Sequence, residues 1–254
     1  MPLGLGSNLS RAISKPITPG IVTDNLVLKH NYNAGSVIPC SDGAAFFDGS
    51  NDYIVADGTS IDFGTNDFTL SLWFHPVGDN TETYFMSQHA SMDDRWYFRL
   101  DASGKIHFFS KIDGTTAISL TGINAVDANS WNHIVFSVDR DSSTGANMYI
   151  NGALDKNGNQ SSHSSVNYDI STVTPDTAGQ EEFNIGRWRN SYSADKYIAN
   201  VGVWHRALTQ AEIKSVMNKN YAGLTDSEKT NLVSWWNLSA DANDSHGSNN
   251  GTLT

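Results

Sequence analysis

The sequence predicts an all-β fold: a two-sheet antiparallel sandwich with one short helix in the C-terminal half. Three observations carry this. Apolar residues recur at every second position in many short runs, as in strands with one buried face. Gly, Asn, Asp and Ser cluster between those runs, where turns need them. The 254 residues are 39% hydrophobic and 11% aromatic, with seven Trp, enough to build a sizeable core.

Residues 1–23 combine Gly, Ser and Pro with Leu3, Leu5, Leu9, Ile13, Ile17 and Ile21, without a sustained period. They read either as a solvated leader or as an arm that orders on a partner, with the aliphatic content favouring the arm. Residues 24–254 are expected to form one domain. In FTLSLWFHP, Phe68, Leu70, Leu72 and Phe74 share a face, with Thr69, Ser71, Trp73 and His75 opposite, and Pro76 ends the strand. Trp96, Phe98 and Leu100 alternate with Tyr97, Arg99 and Asp101. The turn Asp101–Gly104 then returns the chain along 105–110 as a hairpin. Segments 131–138 and 147–150 pair next, and Asn151-Gly152 marks a tight turn. The polar stretch 155–180 is expected to be a long surface loop. Segments 183–188 and 197–204 complete the strands. Thr209 and Glu212 form a capping box opening a helix over 210–219, with Ile213, Val216 and Met217 at helical spacing. Thr225 and Glu228 repeat that chemistry before a short turn. Phe68, Leu70, Leu72, Val135, Tyr149, Ile185, Val201 and Val203 are the expected core.

In order and spacing, FFDGSNDYI (46–54), FTLSLWFHP (68–76), SWNHIVFSVD (130–139), MYINGAL (148–154), FNIGRW (183–188) and YIANVGVWHRALTQAEI (197–213) resemble the laminin-G-like, concanavalin A-like jelly-roll family. The likeness is to the branch found in bacterial and phage surface proteins. It implies a jelly-roll sandwich. LVSWWNLSADANDSHGSNNGTL (232–253) resembles the segment that commonly opens such domains. Placed here after the last strand, it implies closure by a permuted terminal strand.

The family includes glucanases, whose chemistry needs two carboxylates facing each other across a cleft. Glu82, Glu181, Glu182, Glu212 and Glu228 show no alternation that would align a pair on one sheet face, so no catalytic residue is expected. The eight His are isolated, and the lone Cys40 excludes an intrachain disulfide and a cysteine zinc site. Related domains often hold Ca²⁺ in oxygen-rich loops. Asp48, Asp52, Asp241, Asp244 and Asn249 are the candidate ligands, although capped turns are the commoner use of such residues. Trp96, Trp188 and Tyr192, near loops, are the candidate glycan contacts. A net charge of −11 disfavours nucleic acid, and no apolar run is long enough to span a membrane.

The expected function is a non-enzymatic virion structural protein of a tailed phage, made in the host cytoplasm. It would be displayed on the virion surface as a capsid decoration protein, head fibre or tail component. Its expected partners are capsid or tail proteins docked through Leu3, Leu5, Leu9, Ile13 and Ile17, further copies of the chain in a homo-oligomer, and host-surface glycans. The alternative is a cellular or secreted carbohydrate-binding or adhesion module.

Overall fold

The computed structural model describes residues 41, 43–58, 61–64, 66–77, 82–89, 92–112, 114–128, 130–142, 145–158, 182–189, 191–192 and 195–254. All of them belong to one compact unit, Gly35–Thr254. The arm residues Leu3, Leu5, Leu9, Ile13 and Ile17 lie outside the described residues, as do residues 24–40 and 159–181.

The first strands are β1 (Ala45–Phe47), β2 (Ile54–Asp57), β3 (Phe68–Pro76), β4 (Thr83–His89), β5 (Arg95–Leu100) and β6 (Lys105–Ile112). Then come β7 (Thr115–Ala125), β8 (Asn132–Val138), β9 (Ala146–Ile150), β10 (Ala153–Asn157) and β11 (Glu182–Ile185). The rest are β12 (Arg187–Trp188), β13 (Ser191–Tyr192), β14 (Lys196–Trp204), β15 (Leu232–Trp236) and β16 (Thr252–Leu253). Two short helices, α1 (Gln210–Val216) and α2 (Asp226–Lys229), separate β14 from β15.

Sheet A runs β1-β14-β3-β8-β9-β10, with β15 also paired to β14. Sheet B runs β16-β2-β11-β4-β5-β6-β7. All pairings are antiparallel. This is the predicted two-sheet sandwich. Between the sheets lie the inward residues of each alternation, Phe68, Leu70 and Leu72 from β3 and Trp96, Phe98 and Leu100 from β5, all buried. Phe108 stacks on Phe136 at 4.2 Å, and Phe183 on Trp236 at 5.3 Å, joining the two layers through aromatic faces.

The turn Asn151-Gly152 joins β9 to β10 with φ of 51° and 75°, the left-handed pair a two-residue hairpin requires. Of the expected loop 155–180, residues 155–157 extend β10 and residues 159–180 lie outside the described residues. Asp155 belongs to β10, where its carboxylate accepts the backbone N–H groups of Ile123 and Asn124 at 2.8 and 3.0 Å. A polar residue with backbone donors in reach suits a strand end as well as a loop. The expected strand over 183–188 is interrupted: Gly186, at φ 93°, turns the chain off sheet B and divides it into β11 and β12.

The C-terminal segment enters both sheets, β15 beside β14 and β16 beside β2. The predicted helix forms over Gln210–Val216, with both bonds of its capping box present. Among the described residues, no helix is long and apolar enough to cross a membrane.

Candidate functional site

A sandwich has two outer faces. On sheet A, the outward residues of β3 and β8 are covered by the chain between β14 and β15. Thr69 donates to the Arg206 carbonyl at 2.8 Å and accepts the Leu208 N–H at 2.9 Å, and Ser137 donates to the Leu208 carbonyl. The Trp73 indole donates to the Met217 carbonyl at 3.0 Å. Behind these tethers, Val135, Tyr149, Trp204, Ile213, Leu232 and Trp235 pack into a second apolar cluster. His133 is wholly buried there. Its Nε2 meets Ser71 Oγ at 2.9 Å, and burial holds its pKa down at about 3. At one end of sheet A, Phe46, Tyr197, His75 and Trp131 remain as neighbouring rings, but their planes cross at 41–85°. They offer edges rather than a flat platform.

On sheet B the outward residues Arg95, Tyr97, Arg99 and Phe109 are partly exposed, and strand register writes a pattern on that face. Across β4, β5 and β6 the partners His89–Arg95–Lys111 form one row, Ser87–Tyr97–Phe109 the next, and Tyr84–Arg99–His107 the third. An aromatic row therefore lies between two rows of cations and imidazoles. Tyr97 and Phe109 stack at 5.1 Å with 15° between their planes, and both are partly exposed. The Arg99 guanidinium sits 5.3 Å from the Tyr97 ring centre and 5.7 Å from that of Tyr84, and Arg95 lies 5.2 Å from the Phe109 centre. Burial raises the Tyr97 phenol pKa, against the lowering charges of Arg99 and Arg95. Burial, reinforced by the Arg189 charge, lowers that of His89.

One side of this floor is walled. The hairpin β12–β13 stands over β4, fixed by a 2.8 Å bond from Ser87 Oγ to the Arg187 carbonyl. It sets Trp188 against Tyr97 at 5.2 Å, His89 at 5.3 Å and Tyr84 at 6.3 Å. Arg187 lies over the Tyr53 ring. Three cations of the face have their own carboxylates: Arg99 with Glu82, Lys111 with Asp93 at 2.7 Å, and Arg187 with Glu182 at 3.4 Å.

Of the predicted glycan contacts, Trp188 belongs to this wall, and Tyr192 sits opposite Arg187 on β13. Trp96 does not reach the face. It takes the inward register of β5, is fully buried, and donates its indole N–H to Gln88 at 3.1 Å. Sequence reasoning missed Tyr84, Tyr97, Phe109, Arg95 and Arg99. Their signal was available in RWYFRL, where an outward Tyr stands between two outward Arg.

The predicted calcium ligands are occupied by their own turns. Asp48 accepts the Ser50 and Asn51 N–H groups, and Asp52 accepts that of Asp48. Asp241 accepts from Asn243. The Asp244 carboxylate accepts N–H groups from Trp235, His246 and Asn249, while the Asn249 amide donates to Ser234. Such carboxylates complete turns and strand ends. Among the described residues, no group of three or more His, Cys, Asp or Glu is placed to hold a metal ion.

A laminin-G-type family model of the concanavalin A-like lectin/glucanases superfamily matches residues 48–214. The chain belongs to that superfamily. A protein of Bacteroides ovatus provisionally assigned as carbohydrate binding is 17% identical, with a TM-score of 0.58. The match covers 83% of this chain and 57% of that one, so this lectin-like chain spans a little over half of that relative's length. The carbohydrate-binding module of a Ruminococcus gnavus sialidase, bound to α2,3-sialyllactose, has a TM-score of 0.49 at 14% identity, covering 69% of this chain and 96% of that one. A domain of a Geobacillus stearothermophilus arabinanase, bound to arabinotriose, has a TM-score of 0.46 at 18% identity, covering 68% and 76%. The Bacteroides likeness speaks for the fold. A comparison with curated protein sequences finds no match.

Proposed function

We propose that this chain is a non-catalytic carbohydrate-binding module whose sugar site is the outer face of sheet B. The observation that carries the proposal is the stacked, partly exposed Tyr97–Phe109 pair, bordered by Arg95 and Arg99 and walled by Trp188. Aromatic faces cover the apolar C–H face of a pyranose, and a few placed polar groups fix its orientation. Superfamily membership agrees with a lectin-like role. Three acids beside the face, Glu82, Glu182 and Asp93, each pair with a cation. That supports binding rather than glycosidic cleavage, which needs a free acid and base across the scissile bond.

The test is retention of the full chain on a panel of immobilised oligosaccharides, repeated with Tyr97→Ala. At least one sugar should retain the protein, and the variant should lose at least tenfold in affinity while remaining folded. Retention that survives Tyr97→Ala would place sugar binding elsewhere, and retention on no sugar would overturn the reading. Display of the module on a tailed-phage particle is a finer proposal, motivated by the likeness to phage surface proteins, the lone Cys40 and the spaced aliphatics of residues 1–23. Its test is the presence of the chain in purified particles and its loss on deleting residues 1–20.

A further inference from the structure

We infer that the sheet B face selects sugars carrying a single carboxylate, with Arg95 as the anchor for that group. The inference rests on the reading of this face as the sugar site, and it comes from how charge is balanced there. Arg99, Lys111 and Arg187 each have a carboxylate partner. Among the described residues, Arg95 has none. The nearby Asp93 feels the Arg95 charge, but its carboxylate is taken by Lys111 Nζ at 2.7 Å. Nη1 of Arg95 is buried with no hydrogen-bond acceptor among the described residues. The residue as a whole is only partly buried, so a guanidinium without a carboxylate partner borders the face and attracts an anion there.

The position is suitable. Arg95 is half-buried, holds its guanidinium carbon 5.2 Å from the Phe109 ring centre, and flanks the ring pair on which a pyranose would rest. A guanidinium offers paired N–H donors that match the two oxygens of a carboxylate, and partial burial strengthens that contact. The same census limits the ligand to one acidic group. The rim already carries Glu82, Glu182 and Asp93, and the chain as a whole has a charge of −11. A densely sulfated polymer would meet those acids at every repeat. A uronic acid or a sialic-acid-type sugar presents one carboxylate and otherwise neutral hydroxyls.

The experiment titrates the full chain by calorimetry with two matched pairs: digalacturonic acid against its carboxyl-reduced neutral form, and sialyllactose against lactose. Heparin is added as a polysulfated control. The expected result is at least a tenfold preference for one acidic sugar over its neutral match, with the pair that shows it identifying the source of the carboxylate. Arg95→Gln should abolish the preference, so that the acidic sugar and its neutral match bind alike whatever their common affinity becomes. Arg95→Lys should restore only part of it, because an ammonium lacks the paired donors. Equal affinity within both pairs, heparin binding tighter than either acidic sugar, or a preference that survives Arg95→Gln would overturn the inference while leaving the sugar site standing. Failure to bind any probe would overturn both.

Discussion

On β3 the outward residues Thr69, Ser71 and Trp73 are buried, whereas on β5 the outward residues Arg95, Tyr97 and Arg99 stay partly exposed. Both strands alternate, and both place their other side in the shared core. The difference comes from what lies above them. Sheet A is roofed by α1 and the chain leading to β15, held by side-chain bonds to backbone carbonyls and by Trp204 and Trp235 packed edge to face. Among the described residues, sheet B receives the small β12–β13 hairpin at one side. The covered face uses its polar residues as tethers, and the other face leaves its rings and cations partly exposed.

Removing the roof should have the largest effect. Trp204 is fully buried, and its indole donates to the Glu228 carbonyl at 2.8 Å. Trp204→Ala is expected to cost about 3–5 kcal/mol, measured as a shift of the urea midpoint. Tyr97→Ala should change stability by about 1 kcal/mol or less, since its ring is partly exposed, while sugar affinity collapses. If Tyr97→Ala unfolds the chain and Trp204→Ala is tolerated, the contrast between the faces is wrong.

Acid should attack the covered face next. Burial holds the folded pKa of His133 at about 3, below the ordinary 6.5, so unfolding takes up a proton below pH 6.5. Its contribution is intact above pH 6.5 and falls towards pH 3, at up to about 1.4 kcal/mol per pH unit. His205, lowered mainly by burial, adds a slope of the same sign. His133→Gln should remove one proton's worth of that slope from urea midpoints measured between pH 6.5 and 4.5. An unchanged slope would show that His133 is not neutral in the folded chain.

A smaller effect is expected at Glu228. Burial would raise its pKa, but bonds from Lys219, Thr225 and Ser215 outweigh that and bring it to about 2 from 4.5. Its contribution is therefore present above pH 4.5 and lost as pH falls through 2. Glu228→Gln should cost about 1–3 kcal/mol at pH 7, with the difference from wild type closing at pH 2. The smallest change belongs to the uncovered corner of sheet A. Phe46 and Tyr197 are 46% and 39% exposed, so Phe46→Ser with Tyr197→Ser should move the melting temperature little and leave sugar binding intact.

The layers of the fold were legible because burial in a sheet has a period of two. Phe68, Leu70 and Leu72 could be assigned inward from spacing alone, and the structure buries them. Val135 and Tyr149 were also correctly expected to be buried, but they lie in the second cluster, under the roof. Periodicity reports which residues share a side, not what covers that side. The same gap explains the site. Trp96 reads as a contact for its place near a loop and lies inside, while Tyr97, one residue on, carries the partly exposed ring. The three-row pattern depends on the register of β4, β5 and β6, including the irregularity between Tyr84 and Met86. No single strand announces that alignment. The acidic turns are ambiguous in sequence for a related reason: carboxylates that cap backbone N–H groups and carboxylates that hold calcium share a composition.

The pairing of Ile54 with Leu253 joins a strand made early to one made near the end of the described chain. During synthesis, β2 must wait beside β11 with one edge unpaired until residues 252–253 leave the ribosome, and β14 waits likewise for β15. Contacts so distant in sequence form slowly, and an open strand edge invites pairing with other chains. The nascent chain therefore spends its growth as an adhesive, unfinished sandwich. A stalled or prematurely terminated product lacking residues 232–253 would be the species that chaperones and proteases meet.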